Sequence, residues 1–434
     1  MSSPHPCVAA SLLASALLLA ATAPAASAQA GWVASWTASP QPVWDPAFLF
    51  PTNVPPQLQD QTVRQVARLS MGGARLRIVL SNAYGDRPLY VGRATVAVSA
   101  ADGAVVPGSV RELRFDGEPD ARIAAGAPLR SDAVALPVQA LGRVTVSLYL
   151  PAPSPITTFH WDGRQTGWIV AGDQTDAAVL DRNGAGSMST TARPWLAAIE
   201  VETADAAPAV AVIGDSITDG ATASLDRDTR WPDLLAERLA PRGVAVINAG
   251  ISGGRLLSDG MGSSALSRLP RDVLDQPGVR SMIVLIGIND IAWPGTAFEP
   301  GRPRPALDAL RAGYQQLVAQ AHRQGVRVVG MTVAPFHGAL PGTPLETYYQ
   351  PDKDALRQQL NDWIRHGGVF DAVIDADAVL RDPAHPGRLL ARYDSGDHLH
   401  PGDDGNRALA DAVDLDLLLP RAVPAPLSSS PRKD

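Results

Sequence analysis

Cysteine is almost missing from this 434-residue chain, the only one being Cys7. Beyond residue 7 that excludes disulfides, a thiol nucleophile and a cysteine metal site. Lysine is nearly as scarce, with Lys353 and Lys433 alone, so positive charge is carried by arginine, and the net charge is -7. An acidic balance without a basic run excludes the usual electrostatic footprint of a nucleic-acid binder. There is no Cys/His or His-Glu-x-x-His zinc spacing and no glycine pattern of a phosphate loop or dinucleotide fold, so no metal and no cofactor are expected. Internal repeats are lacking too. After residue 28 no apolar run is long enough to propose a membrane span.

Residues 1–28 lack Lys, Arg, Asp and Glu. Val8 to Ala23 is an Ala/Leu-rich run ending near Ala26-Ser27-Ala28, the apolar core and small-residue cleavage site of a secretory signal peptide. The run is short for a bilayer-spanning helix, and no charged stop follows it. The expectation is a chain exported to the periplasm or beyond, cleaved after Ala28 and then free of cysteine.

From residue 29 to about 205 apolar residues recur with period two. Leu76, Ile78 and Leu80 alternate with Arg75, Arg77 and Ser81, and Val144, Val146, Leu148 and Leu150 alternate with Thr145, Ser147 and Tyr149. This is the pattern of half-buried antiparallel strands. Asp102-Gly103 marks a hairpin, since both residues tolerate positive φ. The expectation is an antiparallel β-sandwich of jelly-roll type. Six of the nine tryptophans fall here and read as core rather than a sugar-stacking platform, and His160 reads as a loop histidine.

The period changes after Thr203 to Pro208. Strand-like runs at Ala209 to Ile213, Val244 to Asn248, Met282 to Gly287, Val326 to Val333 and Ala372 to Asp375 alternate with helical patterns. One helix carries Leu310, Tyr314, Leu317 and Ala321, and another carries Leu356, Leu360 and Ile364. Alternation of this kind builds βα units around a five-stranded parallel sheet, here over 206–420. A face through Leu409, Val413 and Leu417 predicts a last helix, and 421–434 reads as a disordered tail.

Four short stretches in this half can carry chemistry. Gly214-Asp215-Ser216 follows a strand buried on both faces, so Ser216 stands where open α/β sheets place their sites. Asp394-Ser395-Gly396-Asp397-His398-Leu399-His400-Pro401 puts a carboxylate three residues before a histidine. Asp397 can hold one ring nitrogen of His400 and leave the other to take a serine proton. Asn289, in Gly287-Ile288-Asn289-Asp290, can offer a side-chain amide to an oxyanion. In Asn248-Ala249-Gly250-Ile251-Ser252-Gly253-Gly254, Gly253 can offer a bare N–H. The same stretch also fits the Gly-x-Ser-x-Gly elbow, which would make Ser252 the nucleophile. The helix such an elbow launches is missing from the sequence, and so is a His-Gly-Gly-Gly oxyanion segment.

Taken in chain order, Gly214-Asp215-Ser216, Gly253 after Asn248, Gly287-Ile288-Asn289-Asp290 and Asp397-His398-Leu399-His400-Pro401, the four blocks resemble the SGNH, or GDSL-type, hydrolase family, over about Ala209 to Leu419. The resemblance implies a flavodoxin-like domain with Ser216 as nucleophile, His400 as base and Asp397 as its orienter. It also implies an oxyanion hole made by Ser216, Gly253 and Asn289. The preceding half is similar to the β-domain of a two-domain secreted branch. These readings together lead to the expectation of a secreted esterase acting on short acyl esters of carbohydrates, such as acylated polysaccharide. Two alternatives stand beside it: a lipase or lysophospholipase, and a non-catalytic carbohydrate-binding envelope protein.

Overall fold

A computed structural model describes residues 31–419. The expected signal peptide with its cleavage site, and the tail after 420, lie outside the described residues. No helix among the described residues is long and apolar enough to cross a membrane.

The N-terminal half is a sandwich of two antiparallel sheets. One sheet runs in the order Gly31–Thr37, Leu196–Thr203, Gly73–Ser81, Pro128–Arg130. The other runs Met188–Thr190, Gly167–Ala171, Gln61–Arg68, Arg143–Leu150, Arg93–Val98, Arg111–Glu112. Leu76, Ile78 and Leu80 on one strand, and Val144, Val146, Leu148 and Leu150 on another, are fully buried. The alternation is less clean on the second strand, where Thr145 and Ser147 are buried as well. The cause is Arg64 on the neighbouring strand, itself buried, which donates to Ser147 Oγ at 2.9 Å and to the carbonyls of Gln174 and Ala177. These bonds hold the 174–177 segment over the sheet's outer face. At the expected hairpin Asp102 and Gly103 both take positive φ, and Ser99 bridges Val105 across the turn.

The C-terminal half is a five-stranded parallel sheet in the order Ala245–Gly250, Ala209–Gly214, Val279–Leu285, Arg327–Met331, Ala372–Ile374. Numbered along the chain this is 2-1-3-4-5, the flavodoxin-like order. The strand Ala209–Gly214 is buried throughout. Ala209, Ala211 and Ile213 join the core on one face, and Val210 and Val212 join a second core beneath Trp231–Leu239 and Asp403–Asp411. The third strand begins at Val279, three residues before its continuous apolar run, and the register against the first strand shifts at Arg280, since Ala209 pairs with Val279 and Val210 with Ser281. The last helix stops at Asp411. Asp414 then caps a separate turn, accepting from the Asp416 N–H at 3.0 Å, so Leu418 is buried where Leu417 was expected.

The two halves share one core. Val33, Leu76 and Val146 belong to the same buried cluster as Ala211, Ile247 and Leu310. Along the open edge of the parallel sheet the sandwich supplies hydrogen bonds in place of a sixth strand. Ser70 Oγ accepts from the Val246 N–H at 3.0 Å, and Thr37 Oγ1 donates to the Asn248 carbonyl at 2.8 Å. An exposed strand edge invites pairing with another chain, and here side chains of the same chain cover it.

Candidate active site

Strand order places the site. In a 2-1-3-4-5 sheet the connections leave the first strand in opposite directions, opening a crevice at its carboxyl end. There Ala209–Gly214 gives way at once to the short helix Ser216–Asp219, whose first turn is capped by Asp215 accepting from the Ile217 N–H at 3.1 Å. Gly250, at the end of the neighbouring strand, has no room for a side chain, since a Cβ would lie 2.3 Å from the Asp219 nitrogen. That close approach seats the helix between two strand ends, with the Ser216 side chain toward the crevice.

His400 arrives from the other end of the domain. Its Nε2 lies 2.7 Å from Ser216 Oγ, and its Nδ1 lies 2.6 Å from Asp397 Oδ2. An ionised carboxylate can only accept, so Nδ1 carries the proton and Nε2 is free to receive the serine's. Asp397 is fixed in turn by the N–H groups of Leu399 and His400, at 2.9 and 2.8 Å from Oδ1. Burial alone would raise its pKa, but the bond and charge of His400 and the two N–H donors hold it well below the usual carboxylate range. The pair is a base with a fixed tautomer aimed at a hydroxyl.

Asn289 is held by its own oxygen. Oδ1 accepts from Trp293 Nε1 at 2.9 Å and from the Tyr348 hydroxyl at 2.7 Å, while Nδ2 donates to the Gly254 carbonyl at 2.9 Å. The amide nitrogen is thereby turned to the cavity with one N–H to spare. Tyr348 suits this role, because burial raises its phenol pKa and keeps it a donor. Gly253 takes φ +69°, and its N–H donates to no other group among the described residues. A Cβ there would strike Met261 Sδ at 2.5 Å. The loop is pinned on both sides. Asp219 Oδ2 accepts from the N–H and Oγ of Ser252 at 2.9 and 2.7 Å, and Asp290 accepts from the N–H groups of Leu256 and Leu257 at 2.7 and 3.0 Å. Desolvation pushes Asp290 up to about 6.

The profile of the GDSL-like lipase/acylhydrolase family matches residues 212–408. That stretch belongs to the family. The matched region is thus that of a carboxylic ester hydrolase, and it takes in the parallel sheet from Val212 onward and all four sequence blocks. Among curated proteins no match was found. Among solved structures, an aryl esterase from M. smegmatis is 20% identical, covering 48% of this chain and 96% of that one with a TM-score of 0.38. A GDSL-like lipase from Bacteroides thetaiotaomicron VPI-5482 is 17% identical, covering 48% and 87% with a TM-score of 0.36. An acetyl xylan esterase is 21% identical, covering 47% and 96% with a TM-score of 0.34.

The acylhydrolase region does not enclose its cleft alone. Ser216, His400, Asn289 and Gly253 open on a cavity of about 440 Å³. Met261, Trp293, Leu340 and Leu345 line one side, and the sandwich half contributes Leu49, Phe50 and Trp161. Trp161 packs against Trp44 and Phe50 at 5.5 and 5.4 Å between ring centroids, edge-on to the first and tilted to the second, so the wall is an aromatic cluster. Sequence reading assigned these tryptophans to the core. Trp36, Trp168 and Trp195 are indeed buried, whereas Trp161 is half-buried at the cavity.

Ser252, the rival nucleophile, is buried, and its hydroxyl is spent on Asp219 rather than an imidazole. His398 turns away to Asp394, His322 pairs with Asp371 and His366 with Asp362. His337 meets Arg388 and Tyr349 outside the cavity. His160 is not an ordinary loop residue: it is buried against Asp219. Sequence reading missed Trp293, Tyr348 and Asp219. Trp293 had a signal, standing four residues after Asn289 on a helical turn, and Asp219 lay within the first motif, while Tyr348 had none.

Proposed function

We propose that the chain is an exported serine esterase that works through an acyl-enzyme on Ser216. The observation that supports it is the unbroken line of contacts from Asp397 through His400 to Ser216, ending in an apolar-walled cavity. Ser216 Oγ attacks the ester carbonyl while His400 Nε2 takes its proton. The N–H groups of Ser216 and Gly253 and the Asn289 amide receive the oxyanion, and the alcohol leaves with the proton from His400. Water then adds to the acyl carbon with His400 again as base, and the acid is released.

The wall chemistry favours short acyl groups on an apolar or aromatic partner. Among the described residues lining the cavity, Ser252, Tyr348, Trp161 and Trp293 spend their polar hydrogens on other protein groups, which leaves Thr222 and Thr343 as the remaining polar side chains outside the reacting groups. A sugar sunk into such walls would leave hydroxyls unpaired, at a cost of about 1–3 kcal/mol each. The half-buried indole of Trp161 favours a second reading, in which an acetylated carbohydrate rests on the rim and only its acyl group enters. Export rests on the composition of residues 1–28, and N-terminal sequencing of protein recovered outside the cytoplasm should begin at Gln29.

An organophosphonate ester should label Ser216. Ser216→Ala should lower ester hydrolysis by about four orders of magnitude or more, while Ser252→Ala stays within about ten-fold. The reverse pattern would move the nucleophile to residue 252. Acetyl, octanoyl and palmitoyl esters of one phenol, set beside acetylated xylan, would rank the substrate readings.

A further inference from the structure

We propose that His160, contributed by the antiparallel half, is a positioning residue for ester hydrolysis: through Asp219 it fixes the peptide that presents the Gly253 N–H to the oxyanion. The inference rests on the serine-esterase reading above and adds to it a residue outside the matched family region.

His160 is only 4% exposed, and its ring is held at both nitrogens. Nδ1 lies 3.1 Å from the Ser39 carbonyl and Nε2 lies 2.9 Å from Asp219 Oδ1. A carbonyl oxygen can only accept, so Nδ1 carries a proton. Nε2 faces a carboxylate, so the pair holds a second proton between them, as imidazolium and carboxylate. Burial and the nearby Arg230 work against that charge. Asp219 and the Ser39 carbonyl outweigh them, and the His160 pKa is raised above its ordinary value. The backbone of His160 is fixed as well, exchanging hydrogen bonds with Arg193 at 3.1 and 2.7 Å.

Asp219 passes this constraint on. While Oδ1 is held by His160, Oδ2 takes both the N–H and the hydroxyl of Ser252. The next peptide unit is the one whose N–H belongs to Gly253. A carboxylate free to rotate would let that unit turn about Ser252, and a donor displaced by a fraction of an ångström loses much of its worth to an oxyanion. Asp219 sits three residues after Ser216 on the same helical turn, so one side chain couples the nucleophile's helix to the oxyanion loop. His160 locks that side chain from outside the domain. A residue that only packed the interface would not need two protonated nitrogens aimed at acceptors on opposite sides of the ring.

The test uses the full chain, with Ser216 counted by complete phosphonate labelling and kcat expressed per labelled site. His160→Leu and Asp219→Asn should each lower kcat by about ten-fold or more and leave KM within about two-fold, since the donor matters chiefly in the transition state. The double variant should lose no more than the worse single one, as expected of residues acting as a unit. His160→Gln, which keeps one donor toward Asp219, should fall between wild type and His160→Leu. Unchanged kcat in folded, fully labelled variants would overturn the proposal, as would a raised KM at constant kcat. If His160→Leu does not fold, the near-isosteric Asp219→Asn decides by the same criteria. Failure of the parent protein to label at Ser216 would instead remove the esterase reading itself.

Discussion

The parallel-sheet half carries Ser216, Asn289, Asp397 and His400, and among the described residues the antiparallel half carries none of the groups proposed to meet the reacting carbonyl. Yet the second half places Leu49, Phe50 and Trp161 in the cavity wall and His160 against Asp219. The difference follows from sheet type. Parallel strands all end on one side, so loops far apart in sequence converge there. An antiparallel sandwich has loops at both ends, and here one of those ends leans over the crevice. The supports of the two proposed oxyanion donors divide in the same way. Asn289 is oriented from within the hydrolase half by Trp293 and Tyr348, beside which Lys353 donates to the Ala292 and Thr347 carbonyls. Gly253 is braced from across the interface.

Removing Asn289 tests the inner support. Asn289→Ala should cost about 10²–10³ in kcat, the loss typical of one oxyanion donor. It should also destabilise the fold, because the buried Trp293 N–H and Tyr348 hydroxyl would each lose a partner worth about 1–3 kcal/mol. Steady-state kinetics and thermal unfolding together check this. Full activity would mean that Asn289 serves only as a link between Trp293 and Tyr348.

Trimming the wall tests the outer half. Trp161→Ala removes an indole that packs on Trp44 and Phe50, and kcat/KM for phenyl or alkyl esters should fall about ten-fold, mostly through KM. The loss should shrink as the substrate approaches methyl acetate. A fall in kcat at constant KM would mean that the sandwich reaches into the chemistry through its wall, and the contrast between the two halves would weaken.

The same contrast explains what could be read beforehand. Ser216 and Asn289 each follow a strand whose apolar run is continuous, and Asp397 precedes His400 by one turn, so local pattern was enough to bring them to one rim. Trp161 and His160 lie in Thr157-Thr158-Phe159-His160-Trp161, a short irregular segment with no period. Their positions depend on how two sheets pack, and that contact leaves no mark on neighbouring residues. Asp219 was visible inside the first motif, but its partners come from residues 160 and 252. Arg64 shows the same limit in the sandwich, where a single buried guanidinium holds a segment over Ser147 and so defeats the expected alternation.

The smallest effect concerns a group in the heart of the first motif. Asp215 is buried, and desolvation pushes its pKa up to about 7, against the pull of the Ile217 N–H and His400. The sign follows from proton counts. Between about pH 4 and pH 7 the folded chain keeps a proton that the unfolded chain has released, so this residue withdraws stability as pH rises through that window. Asp215→Asn cannot ionise and still offers an oxygen to the Ile217 N–H. Its stability relative to wild type should therefore be higher at pH 8 than at pH 4, by on the order of 1–2 kcal/mol once local relaxation discounts the full shift. Taking the difference between two proteins cancels the opposite trend from Asp397, whose depressed pKa removes stability only as pH falls. Denaturant melts of both proteins at the two pH values measure it. A difference independent of pH would mean that Asp215 is ionised in the folded protein, and that the turn bearing Ser216 is held by a full negative charge rather than by a neutral cap.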